Sequence, residues 1–88
     1  MPSTVLVVDD DPVILKLLEV NFDMEGFAVL VAHEGEEGIE VARRERPDII
    51  VSDIMMPKAS GIELVAELKG DPATSAIPIV LQIGRAHV

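Results

Sequence analysis

Aspartates follow apolar runs at two places in the chain, and their carboxylates could do chemistry together. Residues 9–11 are all aspartate and follow the apolar run 5–8, while Asp53 comes two residues after the run 49–51. Carboxylates delivered by neighbouring parallel strands would meet at one edge of a sheet, where open α/β sheets place their sites. Crowded carboxylates repel one another unless a cation lies between them. Ligands that are all oxygen favour a hard divalent ion, Mg²⁺ before Zn²⁺, so the pattern indicates a magnesium site.

A purely structural interpretation of these acids is the alternative. Aspartates after a strand also form turns and helix N-caps, and this explains Asp11, which precedes Pro12 at the first turn of an expected helix. It explains Asp9, Asp10 and Asp53 less well, because each of them lies beside a strand expected to be buried. Aspartates at 9–11 also exclude a phosphate-binding loop after the first strand, since such a loop needs glycines and free N–H groups.

Apolar runs and helical segments alternate along the chain and must position these acids. The runs are residues 5–8, 27–32, 49–51 and 77–81, and their apolar character on both faces is typical of parallel strands covered by helices. Capping residues and apolar spacing predict helices from Pro12 to about Gly26, over residues 35–45, and from near Ser60 to Gly70. This alternation predicts right-handed βαβ units in an open parallel sheet.

The helical spacing also predicts which side chains face the core and which face solvent. The expected core residues are Ile14, Leu17, Leu18 and Phe22 in the first helix, Ile39 and Ala42 in the second, and Ile62, Leu64, Val65 and Leu68 in the third. In the second helix Glu40 comes three and four residues before Arg43 and Arg44, so we expect salt bridges on a solvated face of that helix.

Composition excludes several classes of protein. Hydrophobic residues make up 49% of the 88 residues, which is too apolar for a disordered segment. No apolar run approaches the roughly 18 residues of a transmembrane helix, and no basic segment leads into an apolar one as in a secretory signal. The absence of cysteine excludes disulfides and thiolate chemistry, and the net charge of −9 argues against direct binding of nucleic acid.

Two motifs and a glycine in register resemble a known family. The segments VVDDDP at 7–12 and IVSDIMMP at 50–57, followed by Gly61, resemble the receiver (phosphoacceptor) domain of two-component response regulators. The resemblance covers about residues 4–81. It implies a flavodoxin-like (receiver, CheY-like) α/β fold, a doubly wound parallel sheet with strand order 2-1-3-4-5.

The resemblance also implies a role for particular residues. Asp53 matches the phosphoacceptor, which takes a phosphoryl group from a sensor histidine kinase or a histidine phosphotransfer protein. Asp9 and Asp10 match the acidic pair that holds Mg²⁺ together with Asp53, and Met55 matches the position whose backbone carbonyl completes the metal site. Pro57 and Gly61 match the loop that opens the third helix. These roles imply a cytoplasmic signalling phosphoprotein that is not an enzyme, contacts neither membrane nor nucleic acid itself, and can precede an output domain.

The sequence departs from the family after the fourth strand. In register from Pro78, Ile83 and Gly84 occupy the positions where the family has a Ser or Thr and then usually Ala, and the family's later lysine would fall beyond Val88. Residues 83–88 resemble the translation of a sequencing-library adapter. We therefore expect residues 1–82 to be a partial receiver domain (β1α1β2α2β3α3β4), truncated after the fourth strand and not competent as a switch, and residues 83–88 to be a non-native tail.

Two other functions are compatible with an aspartate-rich α/β domain. A metal-dependent phosphohydrolase of the haloacid-dehalogenase type also uses an aspartate nucleophile, but it has Asp-x-Asp-x-Thr after the first strand, whereas here Val13 follows Asp11 by two residues and Asp53 would have no role. A receiver-like interaction module that works without phosphorylation is the second alternative. Labelling by acetyl phosphate with Mg²⁺, compared between the parent and an Asp53→Asn variant, distinguishes the three functions.

Overall fold

The computed structural model describes residues 2–54 and 60–82, in which strands and helices alternate. Their order is β1 (Thr4–Val8), α1 (Pro12–Met24), β2 (Ala28–Ala32), α2 (Gly35–Glu45), β3 (Ile49–Asp53), α3 (Gly61–Lys69) and β4 (Ile79–Gln82). The strands form one parallel sheet in the order β2-β1-β3-β4. The predicted parallel α/β sheet and its strand order are thereby confirmed. The expected tail at residues 83–88 lies outside the described residues.

Strand β1 lies in the middle of the core because it has a partner strand on each side and helices on both faces. Leu6 and Val8 belong to the cluster on the α2 and α3 side, and Val5 and Val7 belong to the cluster on the α1 side. All four side chains are buried. This two-sided burial is the reason that the strand is continuously apolar instead of alternating.

Helix α1 begins where its capping signal predicts. The Asp11 carboxylate accepts the N–H groups of Val13 and Ile14, at 2.9 and 3.4 Å, and Pro12 occupies the first turn. The helix ends before Gly26, which has a φ of 97° in the left-handed region that glycine adopts without strain.

The prediction that Leu17 faces the core is wrong. Leu15 is the buried residue of α1, with Leu18 and Phe22 packed on the same side of the sheet, and Leu17 is 56% exposed. Successive helical residues are separated by about 100°, so Leu17, two residues from Leu15, points to the opposite face. Because Leu15, Leu17 and Leu18 are all apolar, the sequence alone does not show which of them face the sheet.

Helix α3 shows the same kind of difference. Ser60 and Glu63 form a capping box, with Ser60 Oγ accepting the Glu63 N–H and the Glu63 carboxylate accepting the Ser60 N–H. Leu64 and Leu68 are fully buried as expected, but Ile62 is 62% exposed. Ile62 lies two residues before Leu64 and therefore points away from the sheet.

Helix α2 has the predicted bounds, but both of its arginines pair with acids other than the predicted Glu40. Arg44 donates to the neighbouring Glu45 at 3.1 Å. Arg43 does not pair with Glu40 in its own helix. Its guanidinium donates to Glu67 of α3 and to Asp71 after α3, both at 3.0 Å. The arginine therefore connects α2 to α3.

No helix in the described part of the chain is both long and apolar enough to cross a bilayer. The longest described helix, α1, has 13 residues.

Candidate functional site

The carboxyl ends of β1 and β3 bring the sequence-predicted acids together. Val8 of β1 is in register with Ser52 of β3, so Asp9 and Asp53 follow at the same level of the sheet. Both are almost completely buried, and Asp10 is partly buried. One carboxylate oxygen from each of these three residues lies within 4.8 Å of the others.

Hydrogen bonds hold the first two aspartates at the end of β1. The Asp9 N–H donates to the Ala32 carbonyl at 3.2 Å, which continues the contact between β1 and β2 past the last ladder pair. The Asp9 Oδ1 accepts the Asp11 N–H at 2.8 Å. The Asp11 carboxylate caps α1, so the structure gives Asp11 the capping role that the sequence predicted and leaves Asp9 and Asp10 at the sheet edge.

The Asp53 backbone is held from two directions. On one side, the Ile54 N–H donates to the Gln82 carbonyl of β4 at 2.9 Å, which extends the β3–β4 pairing beyond Asp53. On the other side, the Gly61 N–H at the start of α3 donates to the Ile54 carbonyl at 2.9 Å. The Ser52 hydroxyl also donates to the Asp53 carbonyl at 3.0 Å. These three hydrogen bonds fix the backbone from which the Asp53 side chain extends.

The donor set fits a small divalent cation. The gathered oxygens belong to carboxylates, which Mg²⁺ prefers to nitrogen or sulfur ligands. An octahedral Mg²⁺ spans about 4 Å between opposite ligand oxygens, so oxygens within 4.8 Å of one another need only small side-chain movements to reach it. Met55 and Pro57, to which the resemblance gives a backbone metal ligand and a place in the loop, lie outside the described residues.

The sequence did not identify the residues that hold the strands and helices around the site in place. A Cβ on Gly38 of α2 would lie 2.9 Å from Val8 Cγ2 and 3.1 Å from Leu64 Cδ1, so this glycine lets α2 pack closely against β1 and α3. A glycine inside a helical segment is unfavourable for the helix, and this signal could have identified it.

A lysine and a threonine fix the connection into β4, and the sequence offers no pattern that finds them. The Lys69 ammonium donates to the carbonyls of Ser75 and Ile77, at 2.9 and 2.8 Å. The fully buried Thr74 hydroxyl donates to the Leu68 carbonyl at 2.7 Å. These bonds connect α3 to the segment before β4. Gln82, at the end of β4, accepts the Ile54 N–H.

A parallel β2-β1-β3-β4 sheet with acids at the carboxyl ends of β1 and β3 defines the CheY-like class of flavodoxin fold, a class of signalling domains and not of conventional enzymes. The family model of the response regulator receiver domain matches residues 5–86. The chain therefore belongs to the response regulator receiver domain family of two-component systems.

A curated relative and two solved structures illustrate the similarity. The alkaline phosphatase synthesis transcriptional regulatory protein PhoP of Bacillus subtilis is 44% identical over 69 residues, which are 78% of this chain and 29% of PhoP. The N-terminal domain of a response regulator receiver protein from Methanoculleus marisnigri is 37% identical with a TM-score of 0.86, over 90% of this chain and 64% of that chain. The receiver domain of the sensor histidine kinase PA1611 from Pseudomonas aeruginosa, solved with a magnesium ion coordinated in its active-site cleft, is 25% identical with a TM-score of 0.87, over 92% of this chain and 66% of that chain.

The chain spans only part of the length of its relatives. It covers 15% of the transcriptional regulatory protein GlrR of Escherichia coli and 65% of the protein PilH of Pseudomonas aeruginosa.

Proposed function

We propose that this chain is the phosphoacceptor of a two-component phosphorelay, with Asp53 taking a phosphoryl group from a sensor histidine kinase or a histidine phosphotransfer protein. The observation that carries the proposal is the gathering of Asp9, Asp10 and Asp53 within 4.8 Å at the carboxyl ends of adjacent strands. The phosphorelay places the domain in the cytoplasm, where phosphoryl donors derived from ATP are found. Its output passes to a further domain or to a partner protein.

The reaction needs little covalent chemistry from the protein. A carboxylate oxygen of Asp53 attacks the phosphorus of the donor's N-phosphohistidine, the new O–P bond forms as the P–N bond breaks, and the departing imidazole takes up a proton from solvent. Phosphoryl transfer depends mainly on positioning and on neutralising charge. The β4 and α3 contacts to the backbone around Asp53 supply the positioning.

We assign charge neutralisation to Mg²⁺, which the Asp9, Asp10 and Asp53 carboxylates would hold. The family resemblance adds the Met55 backbone carbonyl as a further ligand. The ion would reduce the repulsion between the Asp53 carboxylate and the incoming phosphoryl oxygens. The magnesium ion in the cleft of the PA1611 receiver domain supports this assignment, as does the all-oxygen donor set at the sheet edge.

The exposed apolar face at the start of α1 is the surface we assign to the donor protein. Val13 and Leu17 are 65% and 56% exposed, and α1 begins directly after the aspartates. A donor packed there would lie beside the acceptor. A Leu17→Asp variant should slow transfer from a phosphohistidine protein while labelling by a small phosphodonor stays unchanged, and equal slowing of both reactions would contradict the assignment.

Phosphoryl labelling of matched aspartate variants tests the proposal. The 88-residue chain is treated with acetyl phosphate and Mg²⁺, and the phosphoryl adduct is located by mass spectrometry in the parent, Asp53→Asn and Asp11→Asn chains. We expect labelling of the parent and of Asp11→Asn, whose asparagine still caps α1, and none of Asp53→Asn. Labelling that persists on Asp9 would indicate the phosphohydrolase chemistry instead. A folded parent that binds Mg²⁺ and is never labelled would indicate an interaction module that works without phosphate.

We also propose that this chain does not switch conformation after phosphorylation. The position where the family has a hydroxyl is occupied by Ile83, whose hydrocarbon side chain cannot donate a hydrogen bond to a phosphoryl oxygen. Amide NMR spectra recorded with and without beryllium fluoride, a mimic of the phosphoryl group, should differ only at the acidic edge. Changes that reach Ile79 and Val80 in β4 would contradict this proposal.

A further inference from the structure

Helix α3 begins in unusually close contact with the backbone that carries Asp53. A Cβ placed on Gly61, the first residue of α3, would lie 2.7 Å from the Asp53 carbonyl oxygen, 2.8 Å from the Ile54 Cα and 3.0 Å from the Leu81 Cδ2. Two of these three atoms belong to the backbone, so no side-chain rotation can relieve the contact with them. A side chain at position 61 would therefore displace the strand end, the helix start or both.

Space, and not backbone conformation, is what requires glycine at this position. Among the described glycines, Gly26 is the one with a positive φ, so another residue at position 61 could adopt the backbone conformation of Gly61 but not fit beside Asp53. The Gly61 N–H also donates to the Ile54 carbonyl at 2.9 Å, and the Ile54 N–H donates to Gln82 of β4. The backbone after Asp53 is thus held between the start of α3 and the end of β4.

We infer that Gly61 is a positioning residue for Asp53: its missing side chain lets α3 lie against the Asp53 backbone and so sets where the Asp53 carboxylate stands relative to Asp9 and Asp10. The inference rests on the proposed function, because it gives Gly61 a role toward the same metal and phosphoryl site. A Cβ at position 61 would force the backbone at Asp53 and Ile54, the start of α3 or both to shift. Metal ligands are sensitive to such displacements of their supports.

A Gly61→Ala variant tests this role against a control that is destabilised elsewhere in the same helix. Leu68→Val serves as the control because Leu68 is fully buried on α3 and lies about 10 Å along the helix axis from Gly61. Binding of magnesium chloride to the 88-residue chain is measured by calorimetry, and amide NMR shifts are recorded without metal. We expect Gly61→Ala to weaken Mg²⁺ binding about tenfold and to shift the Asp53 and Ile54 amides. Leu68→Val should leave both unchanged even where it lowers the melting temperature as much.

A double variant separates the backbone contacts from the side-chain contact. Gly61→Ala combined with Leu81→Ala removes the Leu81 methyl group from the new Cβ but leaves the contacts with the Asp53 and Ile54 backbones. We expect the weak Mg²⁺ binding to persist in the double variant. Restored binding would overturn the inference, because it would make the Leu81 side chain the cause.

The NMR measurement keeps the inference distinct from the proposed function. If the parent chain binds no Mg²⁺ and is never phosphorylated, the proposed function fails, but the metal-free amide shifts still decide whether Gly61 positions Asp53. Asp53 and Ile54 shifts in Gly61→Ala no larger than those in Leu68→Val would overturn the inference whatever the chain binds.

Discussion

Two acidic regions of the molecule place their carboxylates in opposite environments. At the sheet edge, Asp9 and Asp53 are buried and lie among other carboxylates, within 4.8 Å. On the outer surface, the exposed Glu67 of α3 and the partly exposed Asp71 after α3 share the guanidinium of Arg43. Acids at the surface that pair with an arginine change the free energy of unfolding little, whereas buried carboxylates close to one another repel strongly. The difference shows that the placement of the acids, and not the net charge of −9, indicates a cation site.

Magnesium should distinguish the two regions by the largest margin. A ligand that binds only the folded chain stabilises it by about 2.7 kcal/mol at a concentration 100 times its Kd. We expect Mg²⁺ to raise the unfolding free energy of the parent by about this amount, and not to do so in the Asp9→Asn/Asp10→Asn double variant. Urea unfolding with and without Mg²⁺ measures the effect.

Glu67→Gln is the matched control for that measurement, because it removes an acid from the outer region. Magnesium should stabilise Glu67→Gln as much as it stabilises the parent. Equal loss of the magnesium effect in both variants would mean that the ion responds to net charge and has no site at the sheet edge.

Removal of the metal should reveal the repulsion within the inner region. Asp53→Asn keeps the shape of the side chain and removes one of the gathered charges, so without Mg²⁺ it should raise the unfolding free energy by about 1 kcal/mol. Urea unfolding in the presence of a chelator measures this. Asp71→Asn should do the opposite, because it removes a charge that Arg43 uses. Destabilisation by Asp53→Asn would show that the carboxylate contributes favourable interactions that exceed the repulsion.

The inner region was predictable from the sequence and the outer one was not, for a physical reason. Asp9 and Asp10 follow one apolar strand and Asp53 ends another. Parallel strands bring their carboxyl ends to one edge of the sheet whatever the details of packing. Capping residues such as Asp11 and Ser60 act within a few residues of chain, so the helix starts were also predictable. Helix α2 has the predicted bounds over residues 35–45.

Other features depend on how separate elements pack against one another. Arg43 has an acceptable partner in its own helix, Glu40, and only the distance between α2 and α3 decides that it pairs with Glu67 and Asp71 instead. Leu17 and Ile62 are as apolar as their buried neighbours, and only the rotation of each helix on the sheet decides their exposure. The hydrogen bonds of Lys69 with Ser75 and Ile77 depend likewise on the path of the chain into β4.

The ion pairs of Arg43 should contribute a smaller amount to the stability of the outer region, and this contribution should depend on salt. Arg43→Met keeps the aliphatic part of the side chain and removes the bonds to Glu67 and Asp71, so the melting temperature should fall slightly at low salt. The difference from the parent should disappear in 1 M sodium chloride, because salt screens exposed charges over about 3 Å at that concentration. A difference that survives high salt would show that the arginine contributes by packing and not by charge.

The smallest effect should be the change in unfolding free energy at acid pH. Its direction follows from the lowered pKa of Asp71. Hydrogen bonding from the Ala73 N–H, and then from Arg43, lowers the pKa of Asp71 below its ordinary value. A carboxyl group whose pKa is lower in the folded chain contributes stability above its unfolded pKa of about 3.9. That contribution is lost as the pH falls through the lower, folded pKa. Asp71→Asn should therefore be less stable than the parent near neutral pH, and the difference should shrink below about pH 4 in urea unfolding curves. Because the Ala73 N–H is the largest cause, Arg43→Met should keep part of this pH dependence, and its complete loss in Arg43→Met would assign the low pKa to the arginine alone.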